Sequence, residues 1–318
     1  MIVVAGFHTA IDTLVEIDAL QPGAVHRCRQ ALRLPGGKGL HVAQTASALG
    51  ADVQLVGLSD AMHRDLLAEH LRARGVDFHG IETARVRECL ALRESDGRIT
   101  ELLGAGAEVD GATCARLRDA FLALASDASI AVLSGSLPPG CPPSMYAELV
   151  EALRPRGVRC LVDASGEALR HALDARPFLV KPNRDEAAEL LQRPIPSLEA
   201  AFDTVASLHD RGVAMPLLSL GADGALLVDA GSVLHGRLTL DRVLNPVGSG
   251  DCLLAGMAYA LSRGNDIGSA LRLGVACGGA NATALETGYA EPAQVQTLLP
   301  RVSIDVFPLP TSTNGFHP

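Results

Sequence analysis

No tryptophan occurs in this sequence, and three tyrosines and seven phenylalanines are its whole aromatic supply. A groove that stacks bases on aromatic side chains between basic residues has little to be built from. Positive charge is short as well: 27 Lys and Arg against 36 Asp and Glu leave a formal net charge of -9. That balance gives no electrostatic footprint for nucleic acid. No apolar run approaches the length of a membrane span, and Ile2-Val3-Val4-Ala5 lacks the charged and apolar regions of a signal peptide. The expectation is a cytoplasmic chain with neither a nucleic-acid nor a membrane partner. Metal-ligand spacing is missing too. The seven cysteines, Cys28, Cys89, Cys114, Cys141, Cys160, Cys252 and Cys277, are odd in number and form no C-x-x-C, and no histidine pair sits at ligand spacing. They read as reduced thiols, mostly buried, and His63 and His70 read as surface histidines. No internal repeat, linker or low-complexity tract divides the chain. Its 318 residues, 48% of them hydrophobic, can bury one large core. Residues 1–307 read as that domain and 308–318, rich in Pro, Ser and Thr, as an exposed tail.

What is present alternates. Val-, Ile- and Leu-rich runs at 53–57, 130–134, 159–163, 178–181 and 216–220 are separated by amphipathic segments rich in Ala, Leu, Arg and Glu. Repeated βαβ units follow, hence an α/β fold. Helices fit 39–49, 144–153, 184–191 and 198–211, with Gly50, Gly157 and Gly212 near their ends as stops. Ser134, Asp163, Lys181 and Ser219 end or follow strand runs and so mark one rim, where ligands of open α/β sheets gather. Two regions break the alternation. Residues 11–33 and 87–101 show polar and apolar residues in turn, with Ser95-Asp96-Gly97 as a turn, and read as hairpins outside the main sheet; an ordinary edge strand would show the same pattern.

The densest signal is Asn245-Pro246-Val247-Gly248-Ser249-Gly250-Asp251, which runs into an apolar segment of helical length. Glycines free backbone amides to turn toward a ligand, and the first helical turn favours negative charge. An aspartate there would repel phosphate if it only bound. Asp251 therefore suggests a base facing a second reactant, as in a kinase; the alternative is that it merely caps the helix. Two other glycine motifs are disfavoured. The first strand leads into Ala5-Gly6-Phe7-His8-Thr9-Ala10 without a dinucleotide fingerprint, and Gly37-Lys38 is followed by Gly39, with no glycine at position 32 to make a P-loop. What remains is Pro35-Gly36-Gly37-Lys38-Gly39 opening a helix, flexible backbone and a cation where an anionic substrate could lie.

Six ordered motifs carry a resemblance over nearly the whole chain: Ala10-Ile11-Asp12, Pro35 to Gly39, Ser134-Gly135-Ser136-Leu137-Pro138-Pro139-Gly140, Lys181-Pro182-Asn183-Arg184-Asp185-Glu186, Ser219-Leu220-Gly221-Ala222-Asp223-Gly224, and Asn245 to Asp251. The chain resembles the ribokinase/phosphofructokinase-B superfamily of carbohydrate kinases, in the group of 1-phosphofructokinase and tagatose-6-phosphate kinase. The resemblance implies a ribokinase-like fold, a mostly parallel central sheet with helices on both faces and a small β lid over the sugar. It implies Asp251 as base, with Gly248, Ser249 and Gly250 offering amides to the transferring phosphoryl group. Lys181, Asn183, Ser219, Gly221 and Gly224 would serve ATP, and Glu186 Mg²⁺, most plausibly through water. Asp12, the Gly36-Gly37 backbone and the residue at His41 would meet the sugar, with Lys38, Arg87 and Ser136 nearer its phosphate. A ketohexose phosphate (fructose 1-phosphate, tagatose 6-phosphate or fructose 6-phosphate) would become a bisphosphate, and the exposed lid face would offer a homodimer contact.

Departures cluster in the sugar half. Relatives commonly have Asn-Pro where this chain has His8-Thr9, and asparagine where it has His41, Cys89 and Leu103. Asparagine offers a hydroxyl both a donor and an acceptor, whereas cysteine is a weak partner and leucine none. The usual fructose phosphate is not assumed. A kinase for a different or non-phosphorylated sugar and a catalytically idle sugar-phosphate sensor stay open.

Overall fold

The computed structural model describes residues 1–310. The first part of the chain runs β1 (Ile2–Ala5), β2 (Ala10–Glu16), β3 (Gln30–Gly36), α1 (Lys38–Ala48), β4 (Val53–Ser59), α2 (Arg64–Ala73), β5 (Val76–Glu82), β6 (Arg87–Arg93) and β7 (Ile99–Leu103). It continues with α3 (Gly111–Ala125), β8 (Ile130–Ser134), α4 (Met145–Leu153), β9 (Arg159–Asp163), α5 (Gly166–Asp174), β10 (Leu179–Val180), α6 (Arg184–Leu191) and α7 (Leu198–Asp210). The last part is β11 (Met215–Ser219), β12 (Ala225–Asp229), β13 (Ser232–Arg237), α8 (Ser249–Ser262), α9 (Ile267–Ala282), α10 (Pro292–Leu298) and β14 (Ser303–Pro308).

Ten strands form the central sheet in the order β14-β13-β12-β11-β10-β9-β8-β1-β4-β5. Neighbours are parallel from β5 through β11 and antiparallel from β11 to β14. Helices α1 and α3 both pack on β1 and β4 without pairing with each other, so they cover opposite faces. That double cover explains why β1 and β8 are unbroken apolar runs, buried along their whole length. From β1 the chain goes to β4 on one side and later to β8 on the other. The sheet thus has its switch point at β1, and a crevice opens at the carboxyl ends there.

Strands β3-β2-β6-β7 form a second sheet, separate from the first, and both alternating regions contribute to it. Its pairing sets Leu34, Asp12, Cys89 and Leu103 side by side in one row, with Leu32, Leu14, Ala91 and Glu101 two residues along. Side chains two apart share a face, so both rows look the same way, into the crevice. This is the lid.

Two expectations are corrected. His63 is buried, not a surface residue: its ring and backbone amide both meet Asp60. The tail does not start at Pro308, which pairs with Ser232 as the last residue of β14, while 311–318 lie outside the described residues. Gly221–Asp223 forms a turn of 3₁₀ helix between antiparallel β11 and β12. Five cysteines are buried as read, while Cys28 is exposed and Cys141 half-buried.

Helices α8 and α9 meet where a Cβ on Gly256 would lie 2.8 Å from Gly274 Cα and 3.0 Å from Cys277 Sγ. Backbone this close sets the height of α8 above its neighbour. Gly256→Ala is expected to cost about 1–3 kcal/mol by overpacking, more than alanine's helix propensity returns. Urea unfolding checks this: the midpoint should fall, and an equal or higher midpoint would show that the helices part freely.

Candidate active site

One cavity of about 1200 Å³ lies between the lid and the carboxyl ends of the sheet. Every candidate residue from the sequence lines it except Gly36. Gly36 instead lies beneath Asp12, where any Cβ would strike the carboxylate.

One half of the cavity is built on α8. Its N-cap is Gly248, in the left-handed region at φ 82°, and no side chain caps the helix. A Cβ on Gly248 would come within 2.6 Å of Gly288 N, so both conformation and space call for glycine. Asp251 is therefore not a cap. It stands in the first turn with its carboxylate on His41 Nδ1 at 2.9 Å. The loop before it is fixed from behind by two buried asparagines. Asn245 donates to Leu285 O and Thr287 Oγ1, and Asn281 donates to Val247 O and Ser249 Oγ while accepting from Gly288 N. Asn281 escaped the sequence reading, since one polar residue in an Ala- and Gly-rich helix has no local signature.

Two ammonium groups face this turn. Lys181 follows β10, with Nζ 3.2 Å from where a Gly250 Cβ would be, and Lys38 opens α1. Asp163, at the end of β9 and wholly buried, holds both: Lys38 Nζ lies 3.1 Å from Oδ1, and Lys181 Nζ 3.1 Å from Oδ2, at an angle poor for a hydrogen bond. Lys38 also meets Glu186 Oε1 at 3.1 Å. Burial opposes the charge of Lys38, yet Asp163, Glu186 and Asp251 outweigh it and raise its pKa. Burial likewise opposes the charge of Asp163, but Lys181 and Lys38 hold it below the usual carboxylate range. The sequence marked Asp163 only as a strand end. Its ion pair with Lys38 joins residues more than a hundred positions apart, beyond any local pattern.

Asn183 and Glu186 form a capping box on α6, each side chain accepting the other's amide at 2.8 Å. Glu186 thus has the plain capping role and still turns Oε1 to the cavity through Lys38. Among the described residues no group of three or more His, Cys, Asp or Glu forms a metal cage. Glu186, already paired with Lys38, fits Mg²⁺ only in the mode where the ion keeps its waters and leans on substrate phosphate. Beyond it, Leu220, Ala222, Leu238, Val243 and Val275 wall an apolar slot closed by Gly278 and Gly279, suited to a flat base.

The other half, where an acceptor is proposed below, lies under the lid. Asp12 Oδ2 accepts from the Gly37 amide at 3.3 Å and lies 3.3 Å from His41 Nε2. Burial opposes its charge, and His41, the Gly37 amide and Arg87 together lower its pKa. Arg87 lines the cavity with a buried Nε that has no partner among the described residues, an orphaned donor suited to an anion. Burial, and then Arg87, hold His8 down to about 4, so its ring is neutral. Nε2–H donates to Ala105 O at 3.0 Å, which leaves Nδ1 to accept from the Ser136 hydroxyl at 2.8 Å. With its proton turned to His8, Ser136 offers lone pairs to the cavity, which suit a sugar hydroxyl better than a phosphate. Glu101, absent from the sequence reading, also faces in; burial, then Asp12 and Asp251, push its carboxyl up. Leu34, Cys89 and Leu103 flank Asp12 along the row, so this part of the lid presents a mostly apolar wall.

Asp163→Asn would leave Lys181 buried without a counter-charge. A loss of about 3–5 kcal/mol is expected. The folded pKa of Asp163 is depressed, so its contribution is present above about pH 4 and is lost as pH falls through the lowered value. Denaturation of both proteins from pH 7 downward should show the gap narrowing in acid. A gap that stays constant, or no gap at neutral pH, would contradict the pairing.

Known proteins resemble the chain along nearly its whole length. The chain is similar to 1-phosphofructokinase of Bacillus subtilis (strain 168), 28% identical over 304 residues that cover 96% of this chain and 99% of that one. It is similar, again at 28%, to 1-phosphofructokinase of Vibrio cholerae, with 95% of this chain and 96% of the relative covered. Among solved structures, phosphofructokinase-2 from Escherichia coli in complex with substrates and products superposes with a TM-score of 0.86 at 26% identity, over 94% of this chain and 98% of that one. The sequence pattern of the pfkB family carbohydrate kinases matches residues 7–294, and the chain belongs to that family.

Proposed function

We propose that this chain is an ATP-dependent kinase that phosphorylates a hydroxyl of a ketohexose phosphate, giving a bisphosphate. The observation that carries the reading is the placement of Asp251. It lies in the first turn of α8, between the uncapped helix end with Lys181 beside Gly250 on one side and the orphaned Arg87 donor of the acceptor half on the other, all in one cavity. The relatives named above are sugar-phosphate kinases by name, which agrees with it.

Asp251 takes the proton of the attacking hydroxyl as the new oxygen–phosphorus bond forms and the bond to ADP breaks. The Gly248–Gly250 amides and the α8 dipole stabilise charge on the phosphoryl oxygens, and Lys38 and Lys181 can move from Asp163 and Glu186 toward added phosphate. Glu186 would hold Mg²⁺ through water, where the ion would neutralise polyphosphate charge. Arg87 takes the acceptor's own phosphate, Asp12 and Ser136 accept from its hydroxyls, and the lid excludes water. The lid is also the proposed homodimer contact, with Leu102 exposed on it. A second reading is favoured by the row Leu34, Cys89 and Leu103: an acceptor with fewer hydroxyls than the usual sugar along that wall.

ADP release is the test, with Mg-ATP and fructose 1-phosphate, tagatose 6-phosphate, fructose 6-phosphate or the free sugars. Turnover is expected on a phosphorylated ketose, falling about 10²–10⁴-fold in Asp251→Asn. Preference for a free sugar, or turnover indifferent to the substitution, would contradict the reading.

A further inference from the structure

His41 stands between the two carboxylates on which the acceptor chemistry depends, and both of its ring nitrogens are engaged. Nδ1 lies 2.9 Å from Asp251 Oδ2 and Nε2 3.3 Å from Asp12 Oδ2. A neutral imidazole has one N–H, so it can donate to only one of them and would turn a lone pair on the other. Only the doubly protonated ring turns an N–H to both, as a hydrogen bond to Asp251 and an ion-pair contact to Asp12. The ring is also held in place. Gly288, at φ +70°, lies flat against it where any side-chain carbon would overlap the imidazole. That glycine is pinned in turn, its N–H on Asn281 Oδ1 at 2.7 Å and its C=O on Gln44 Nε2 at 2.8 Å.

We propose that His41 is a positioning residue: it ties the acceptor-binding Asp12 to the base Asp251 as a charged bridge, and the kinase works only while that bridge carries both protons. The proposal rests on the kinase reading above and deepens it.

The charges around the ring support this from every side. Asp12 comes from β2, Asp251 from α8 and Glu101 from β7, against Arg87 on β6. On its own helix, Lys38 is already shared by Asp163 and Glu186. From α2, His70 is held low by burial and Arg74, and Arg74 is itself paired with Glu286. Without the charge on His41, three carboxyl groups would face only Arg87 and a Lys38 already shared by Asp163 and Glu186. Burial opposes that charge, but Asp12 and Asp251 outweigh it and raise the ring to about 9. A folded pKa above the unfolded value gives stability that is whole below about pH 6.5 and is lost as pH rises toward the folded value. The loss of charge therefore belongs on the alkaline side.

Two readouts separate this proposal from the kinase reading. NMR titration of the imidazole in the whole protein should place the His41 midpoint near 9, and Asp12→Asn, which removes one flank and keeps the ring, should move it down. Rates with Mg-ATP and the phosphorylated ketoses should show kcat falling on the alkaline limb at the same midpoint. His41→Asn should lose that limb and lower kcat on the order of 10²-fold, with KM for ATP unchanged. A ring titrating near its ordinary value, or His41→Asn keeping both rate and limb, would overturn the bridge. A ring titrating near 9 in a protein silent toward every acceptor would support the bridge and count against the kinase reading alone.

Discussion

Three helix N-termini converge on one cavity, and the rest of the site answers to that. Helices α1, α6 and α8 begin at Gly37, Asn183 and Gly248, each with its positive end toward the crevice at the sheet's switch point. Only α6 is capped by a side chain. The ends of α1 and α8 stay open, and two lysines lie beside them. Such concentrated positive potential needs negative charge, which Asp163, Glu186, Asp12 and Asp251 supply within the protein. Phosphate from a substrate can take over part of that role. The acids therefore belong to the same arrangement as the cations, since Asp163, Glu186 and Asp251 keep Lys38 charged and Asp163 holds Lys181.

The acceptor half follows a different logic. Its lid face has few hydrogen-bonding groups: Asp12, Glu101 and Arg87 among leucines, a cysteine and an alanine. Three of the four departures from the family pattern change what the wall offers a hydroxyl. His8 takes up the Ser136 proton, while Cys89 and Leu103 withdraw amides. His41 is different in kind, because it places a titratable ring between the acids of the two halves. Selectivity in such a site depends on which substrate hydroxyls find partners, since an unpaired buried group is penalised heavily.

Much of this was legible in the sequence. The strands Ile130–Ser134 and Arg159–Asp163 and the helix Arg184–Leu191 stand where the pattern put them, because an apolar run or a capping pair is a local signal. The positive φ of Gly50, Gly157 and Gly212 fits the helix ends read there. The loop at Asn245 to Asp251 was also a local signal, and it does run into a helix, with Gly248 in the left-handed region at its start. What stayed hidden is long-range. Asp163 meets Lys38 across the sheet, Asn281 meets the α8 loop across a helix crossing, and Arg33 of β3 lies against the His63 ring. No spacing along the chain encodes those encounters. Glu101 was missed for a similar reason: its direction depends on the β6–β7 register, which periodicity alone left open.

The most direct test is a structure of the protein with a non-hydrolysable ATP analogue and a phosphorylated ketose. The account predicts the γ-phosphate against the Gly248–Gly250 amides, the acceptor's phosphate on Arg87 and one acceptor hydroxyl on the Asp251 carboxylate. A γ-phosphate seated away from α8, or an acceptor with no hydroxyl near Asp251, would contradict it.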